Sequence, residues 1–320
     1  MASIYEQALS FRRRLIERDS AAVEFLTDQY KVVYASVLRS LTALNEQIAA
    51  AQAGGQEVSK NWLNQQWRFQ SLLRQMDAEF QRYGQQVAYL VRARQLFEAN
   101  QGSSDAGVLL QGRFDRLPVA AIQNIVSNLR AGSPLAALLD SFGTVASRYA
   151  SDAILEAVAT GKNPRAIAGR VRDALGVPLH RAMLISRTEA VRAYRQGSLQ
   201  SYQDAGIKQW RWVAAKSPRT CLNCLARDGE IYEVEKPFPA HPACRCTMIP
   251  VIASIPTRAE TAGEWFAKQP DSVKRQMMSG KAFDLFKQGK IKLADFKGER
   301  RSRKWGASTY ERSVKEIMGE

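Results

Sequence analysis

The chain has 320 residues, 45% of them hydrophobic, which is enough for two or three domains with packed cores. Its 46 Lys and Arg outnumber 31 Asp and Glu for a formal net charge of +15, a balance that favours polyanionic or acidic partners. No stretch approaches the ~18 apolar residues of a membrane span, and "MASIYEQALSFRRRLIERD" lacks the apolar core and cleavage site of a signal peptide. The expectation is therefore a protein made and kept in a cytoplasm, where thiols stay reduced.

Leu26, Tyr30, Val33, Val37, Leu41, Leu44 and Ile48 recur at steps of three and four, which places them on one stripe of a long helix. Phe69, Leu72, Met76, Phe80, Tyr83, Val87 and Leu90 form a second stripe. Between them, Gly54 and Gly55 end the first helix and Ser59 is a candidate cap for the next. The two read as an antiparallel hairpin, and the aromatic content of the second stripe reads as core rather than as a cofactor box.

"EANQGSSDAGVLLQGR" (98–113) is rich in small and polar residues with little periodicity, which predicts a linker or loop. Pro118 and Pro134 fall near helix starts. "GKNPRAIAGRVRDALG" predicts a helix capped by Asn163, opened by Pro164 and stopped at Gly176, with its arginines on a solvated face opposite Ile167, Val171 and Leu175. From Pro178 to Ala205 one amphipathic helix carries Leu184, Val191, Tyr194 and Leu199 towards a core. The period then changes, and "KQWRWVAA", "EIYEV" and "TMIPVI" predict a small sheet. Helices are expected again after Pro256, followed by the basic run "KGERRSRK" and "WGAS", and no fixed-period repeat is evident.

All four cysteines lie in "CLNCLARDGEIYEVEKPFPAHPACRCTMIP" (221–250), as Cys-x2-Cys, sixteen intervening residues, then His-x2-Cys-x-Cys. In a reducing compartment such a cluster points to metal, and zinc takes four soft or borderline ligands in a tetrahedron. Cys221 and Cys224 supply the first pair, and two of His241, Cys244 and Cys246 the second. Cys244 and Cys246 would share a face of an extended strand, while His241 with Cys244 makes an equally acceptable knuckle, favoured slightly because the fixed φ of Pro242 helps to hold it. Two plainer readings are thiols buried as small hydrophobes, and disulfides formed after release from the cell. A filled tetrahedron is structural, stapling strands whose own core is small.

Catalytic signals are sparse. A nuclease of the His-Asn-His type needs a general-base histidine and a metal-binding one, but His180 and His241 are the only two in the chain. There is no Gly-rich phosphate loop, His-Glu-x-x-His or Gly-x-Ser-x-Gly. Glu189, two residues from Arg187, reads first as a structural ion pair, and His180 receives no role.

Arg187, Thr188 and Glu189 in a helix, followed by Trp210, Cys221, Cys224, Gly229, His241, Pro242, Cys244, Arg245 and Cys246, resemble the phage head morphogenesis family named after the F protein of phage Mu. The resemblance covers about residues 180–252 and continues in "GEWFAKQPDSVKRQMMSGKAFDLFKQGKI" and "WGAS". It implies a structural, non-enzymatic minor head protein of a tailed phage. Such a protein is associated with the portal protein and the capsid interior, meets capsid or scaffold proteins, and resides in the virion head or neck after assembly in the host cytoplasm. The zinc ion is read from the spacing, not from the family. Double-stranded DNA bound without sequence choice is a further expected partner, with Lys297, Arg300, Arg301, Arg303 and Lys304 as a basic strip. The alternative function is a DNA-acting, nuclease-like enzyme with a zinc-stapled hairpin.

The expected fold class is α+β, mostly α-helical, with a long N-terminal helical hairpin and a small zinc-stapled β-hairpin module near the C-terminal third. The expected organisation is a hairpin arm (1–100), a helical connecting region (101–177), a Mu F-like core with the Cys/His cluster (178–254) and a basic helical C-terminal region (255–320).

Overall fold

The computed structural model describes residues 3–112, 117–131, 141–159, 164–253, 260–302 and 306–319. Asn163, Pro134, Pro256, Arg303 and Lys304 lie outside the described residues. The fold is α+β, mostly helical, with small antiparallel sheets. Its residues form two compact units, one of 19–93 with 134–187, the other of 1–18, 94–133 and 188–320.

In the first unit, helix α1 (Ile4–Ala53) and helix α3 (Trp67–Leu109) contribute the two apolar stripes, joined through a short helix α2 (Lys60–Asn64). Every member of the first stripe is buried, as is every member of the second except Leu90, whose place is taken by Val91. A 3.6-residue period allows a step of four from Val87 as readily as three. Partners run in opposite directions along the pair. Tyr83 Oη donates to Leu26 O at 3.2 Å, Gln75 Nε2 to Ser36 O at 3.2 Å, and Gln47 Nε2 to Gln66 Oε1 at 2.7 Å, so the hairpin is antiparallel. Gly55, with φ +76°, ends α1 in the left-handed region, and Ser59 caps α2 by accepting from the Trp62 amide. Helix α5 (Phe142–Ala159) packs against α3 so tightly that a Cβ on Gly143 would stand 2.7 Å from Gln81 Cα.

Two expectations about helix limits are overturned. Most of the stretch expected to be a loop is helix, because α3 continues to Leu109 before a turn at 110–112. Its small residues serve a helix crossing inside the second unit, between α3 and helix α6 (Pro164–Asp204). A Cβ on Gly102 would meet Tyr194 O at 2.0 Å, and one on Gly197 would meet Ala99 O at 2.0 Å. At that distance the backbones themselves are in contact. Ser198 Oγ donates to Gly102 O at 3.0 Å, and Ser201 Oγ to Ser103 Oγ at 2.9 Å. Polarity and small size here mark close packing, which looks like a loop in one dimension. Likewise α6 does not stop at Gly176. It runs through Gly176 and the buried Pro178, where proline removes one backbone bond that a 41-residue helix can lose.

In the second unit, strands β1 (Gln209–Val213), β2 (Ile231–Glu233) and β3 (Thr247–Pro250) form an antiparallel sheet in the order β2-β1-β3, with Trp210 opposite both Tyr232 and Pro250. These are the three β-prone runs of the sequence. Trp210 and Trp212 are fully buried, and Trp212 stacks on Phe238 at 4.0 Å between centroids. Helix α4 (Val119–Ala131) begins just after Pro118, and its Ile122, Ile125 and Val126 pack with Ala99 and Ala193.

Beyond residue 260, helices α8 (Ala262–Ala267), α9 (Asp271–Met277) and α10 (Gly280–Lys287) appear as expected. The helices are then interrupted by strands, with one more helix at Val314–Met318. "KGERRS" is strand β4 (Lys297–Ser302), paired antiparallel with β5 (Gly306–Glu311). A strand of charged residues shows no apolar alternation, so its pairing was invisible to periodicity.

Candidate metal centre

Cys221 is the N-cap of a short helix, α7 (Leu222–Ala226), and Cys224 is its third residue, so the Cys-x2-Cys spacing places both sulfurs on one side of a single turn. The first knuckle thus rests on a helical turn between β1 and β2. The second half is a tight turn in which the Cys244 amide donates to His241 O at 3.2 Å. Pro242 occupies its first central position, and Ala243 its second with φ +57°, a left-handed conformation that costs a non-glycine residue on the order of 1 kcal/mol. The Ala243 amide donates to Thr188 Oγ1 at 3.1 Å, tying this turn to α6.

The five candidate side chains converge. His241 Nε2 lies 3.3 Å from Cys221 Sγ and 3.2 Å from Cys224 Sγ, and Cys224 Sγ lies 3.8 Å from Cys244 Sγ. Cys221, Cys224 and His241 form one group with ligand atoms within 4.8 Å of one another, and Cys224, Cys244 and Cys246 form a second, so Cys224 belongs to both. All four cysteines are free. His241 Nδ1 lies 2.8 Å from Pro242 O. A carbonyl only accepts, so Nδ1 carries the proton and Nε2 is turned to the sulfurs.

The electrostatics are those of crowded thiols. A hydrogen bond from Cys224, with help from His241, lowers the Cys221 pKa to about 5. Burial opposes the His241 imidazolium, but its hydrogen bonds and proximity to the Cys221 and Cys244 sulfurs raise it to about 11. Cys244 is pulled well down by hydrogen bonds from Cys224 and Cys246 and by the nearby Arg195 charge, while Cys224 and Cys246 are pushed up. The group therefore shares protons and holds thiolates beside a cation.

Arg195 was not singled out in the sequence, where it is one arginine among many on an amphipathic helix. It is 5% exposed, donates through one terminal nitrogen to Cys246 O at 2.6 Å, Cys244 O at 3.2 Å and Cys244 Sγ at 3.4 Å, and lies over the Phe238 ring at 4.1 Å. Glu311 was also missed. At the end of β5, its carboxylate accepts from the Leu222 amide at 2.7 Å and so fixes the start of α7. Asn223 Oδ1 accepts from the Gly298 amide at 3.3 Å and Arg227 Nε at 3.2 Å, joining α7 to β4. None of these residues has a spacing signature, since each acts across more than forty positions or through a local turn.

The Arg-Thr-Glu triplet separates into three jobs. Arg187 Nε donates to Asp19 Oδ2 at 2.5 Å, Thr188 holds the Ala243 turn, and Glu189 is 1% exposed and accepts from Gln95 Nε2 at 2.5 Å. Burial raises the Glu189 pKa against the pull of Arg192, 3.6 Å away. Lys297 of the basic strip donates to Glu230 at 2.9 Å, Arg300 covers the Tyr310 ring at 5.5 Å, and Arg301 is exposed. His180 is exposed on α6.

The class of site is thus a Cys/His cluster between a helical turn and a strand, braced against a long helix. Residues 150–249, which include the whole cluster, match the family described as Phage Mu protein F like protein, and the resemblance read from the sequence is shown over that segment. An uncharacterized protein of Haemophilus influenzae (strain ATCC 51907 / DSM 11121 / KW20 / Rd) is 26% identical over 141 residues, covering 38% of this chain and 31% of that relative. The chain thus spans less than a third of the relative's length in that match. No solved structure matches the chain.

Proposed function

We propose that the chain is a structural minor head protein of a tailed phage, acting in head assembly through the portal protein and neighbouring capsid or scaffold proteins, in the head interior or neck. The observation that carries this reading is the Phage Mu protein F like match over residues 150–249. Among the described residues no helix is long and apolar enough to cross a membrane. The test is co-expression with the portal protein of the same phage followed by affinity capture. Retention of the portal at physiological salt is expected, and its absence from both the co-expressed complex and purified particles would refute the assignment.

One structural zinc ion is part of this proposal. A tetrahedron with Zn–S of about 2.3 Å and Zn–N of about 2.0 Å has S–S edges of about 3.8 Å and S–N edges of about 3.5 Å. Cys224 and Cys244, 3.8 Å apart, match the first, and His241 stands 3.2–3.3 Å from two sulfurs, slightly inside the second. Cys221, Cys224, His241 and Cys244 are the proposed ligands, with Cys246, which groups with Cys224 and Cys244, beside them. The Nδ1 bond to Pro242 O orients the imidazole, and Arg195 offsets the excess negative charge of several thiolates. The ion would supply folding energy for a module whose sheet has three short strands.

The nuclease reading keeps one supporting observation, the buried Glu189 with its raised pKa. Incubation with duplex DNA and magnesium or manganese separates the two. Cleavage abolished by Glu189→Ala would favour the enzyme, and intact DNA the structural role.

A further inference from the structure

The four cysteines differ in access. Cys224, Cys244 and Cys246 are buried, whereas Cys221 is partly exposed. His241, 3.3 Å from the Cys221 sulfur, is partly exposed as well, so the cluster meets solvent at this pair. Cys221 and Cys224 stand at the start of α7 and inside it, with their sulfurs within 4.8 Å of each other. Two thiols spaced Cys-x2-Cys across the first turn of a helix are within reach of a disulfide. The thiolate is the reactive form of cysteine, and zinc ligation holds Cys221 in that form.

We propose that Cys221 is an oxidation site for a hydroperoxide, and that Cys224 resolves it as a disulfide with release of the metal. The release rests on the zinc reading above; the oxidation step does not. The Cys221 thiolate attacks the outer peroxide oxygen. An S–O bond forms, the O–O bond breaks, and the alkoxide or hydroxide leaves and takes a proton from solvent, giving a sulfenic acid at Cys221. The Cys224 sulfur then attacks the Cys221 sulfur, the S–S bond forms, the S–O bond breaks, and hydroxide leaves as water after taking a second proton. Two electrons pass from the pair of sulfurs to the hydroperoxide. The new bond removes two of the four proposed ligands, and one of them, Cys224, is the sulfur common to both ligand groups.

The bond also acts on the fold, because α7 holds the β4–β5 hairpin at one end. The Leu222 amide donates to the Glu311 carboxylate at 2.7 Å, Asn223 Oδ1 accepts from the Gly298 amide at 3.3 Å, and an Arg227 terminal nitrogen donates to Gly298 O at 3.4 Å. Glu311 stands opposite Lys297, next to Gly298, so all three bonds meet the hairpin at its base. Pulling Cys221 and Cys224 together distorts the turn that makes these bonds and loosens Arg300 and Arg301 on β4.

The test treats the full chain, as purified, with excess hydrogen peroxide or cumene hydroperoxide. A metallochromic dye follows zinc, alkylation with peptide mapping locates each oxidised sulfur, and trypsin reports on β4. About one zinc per chain should leave as the Cys221–Cys224 disulfide forms, and dithiothreitol with added zinc should reverse both. Cleavage after Arg300 and Arg301 should become severalfold faster in the oxidised protein. Cys246→Ser should respond as wild type does, and Cys224→Ser should carry a dimedone adduct on Cys221. Retention of metal and of all four thiols in excess hydroperoxide would overturn the proposal, as would a first oxidation mapped to Cys244 or Cys246. Unchanged cleavage of β4 in fully oxidised protein would overturn the coupling to the hairpin. Protein that carries no zinc yet forms the Cys221–Cys224 bond would defeat the zinc reading and leave the oxidation site standing.

Discussion

Thr188 Oγ1 accepts the amide hydrogen of Ala243 at 3.1 Å, across 55 residues of sequence. That bond stabilises a turn whose Ala243 has positive φ, and the turn presents His241 and Cys244 to the cysteines of α7. Thr188→Val removes the acceptor while keeping the shape, and the expected loss is about 1 kcal/mol, the usual net worth of such a bond. Thr188→Ser should restore most of it. Urea midpoints of the three proteins, together with the rate at which a chelator strips bound metal, check the expectation; equal stripping rates would separate Thr188 from the knuckle.

Purified without added metal, the protein should carry about one zinc per chain, as a single tetrahedral site requires. Cys224→Ser should lose the most metal, because Cys224 alone belongs to both ligand groups. Cys246→Ser should lose the least. Elemental analysis reads this directly, and a metal-free wild type with unchanged melting of Cys221→Ser would eliminate the zinc.

The α3–α6 crossing gives a test of packing. Gly102→Ala and Gly197→Ala each place a Cβ at 2.0 Å from a backbone oxygen, so both should destabilise by at least 1–3 kcal/mol, roughly the cost of overpacking. Gly169 also lies in α6 but has nothing within 4 Å of its virtual Cβ, and Gly169→Ala should stabilise by about 1 kcal/mol through helix propensity. Thermal melts of the three variants would show opposite signs.

Glu189 predicts a pH dependence. Burial raises its folded-state pKa above the ordinary 4.5, so the protonated form is favoured in the fold. Stability from this group is complete below the unfolded pKa and is lost as pH rises from about 4.5 through the folded value. Glu189→Gln retains an acceptor for Gln95 and carries no charge to desolvate, so its stability relative to wild type should improve between pH 4.5 and 7. Denaturant midpoints across that window measure it; a difference that shrinks with pH would reverse the argument.

For nucleic acid, Lys297 is already paired with Glu230, which leaves Arg300 and Arg301 as the accessible members of the strip among the described residues. If they meet phosphates, reversing both should reduce the slope of log affinity against log salt by about two, at roughly 0.9 per phosphate contact. Lys297→Glu should act on folding through Glu230 instead. Filter binding of duplex DNA over a salt series distinguishes these effects.

The sequence by itself determined the elements whose cause is periodic or compositional. Residues 26–48 and 69–87 had to be two helices, because steps of three and four bury one face of a helix and of nothing else. Trp210 and Trp212 alternate as a half-buried strand must, and Cys221, Cys224, His241, Cys244 and Cys246 were legible as groups that could hold a metal, because metal chemistry restricts both ligand types and spacing. What only the tertiary structure decided has its cause in a distant residue. Gly102, Ser103 and Ala106 resembled a loop until α6 was seen within backbone contact. Pro178 resembled a helix start until a longer helix absorbed it, and the charged strand β4 needed β5 beside it to be a strand at all. Arg195 and Glu311 belong to the same group, since burial and long-range hydrogen bonds are properties of a neighbourhood that no local pattern of residues encodes.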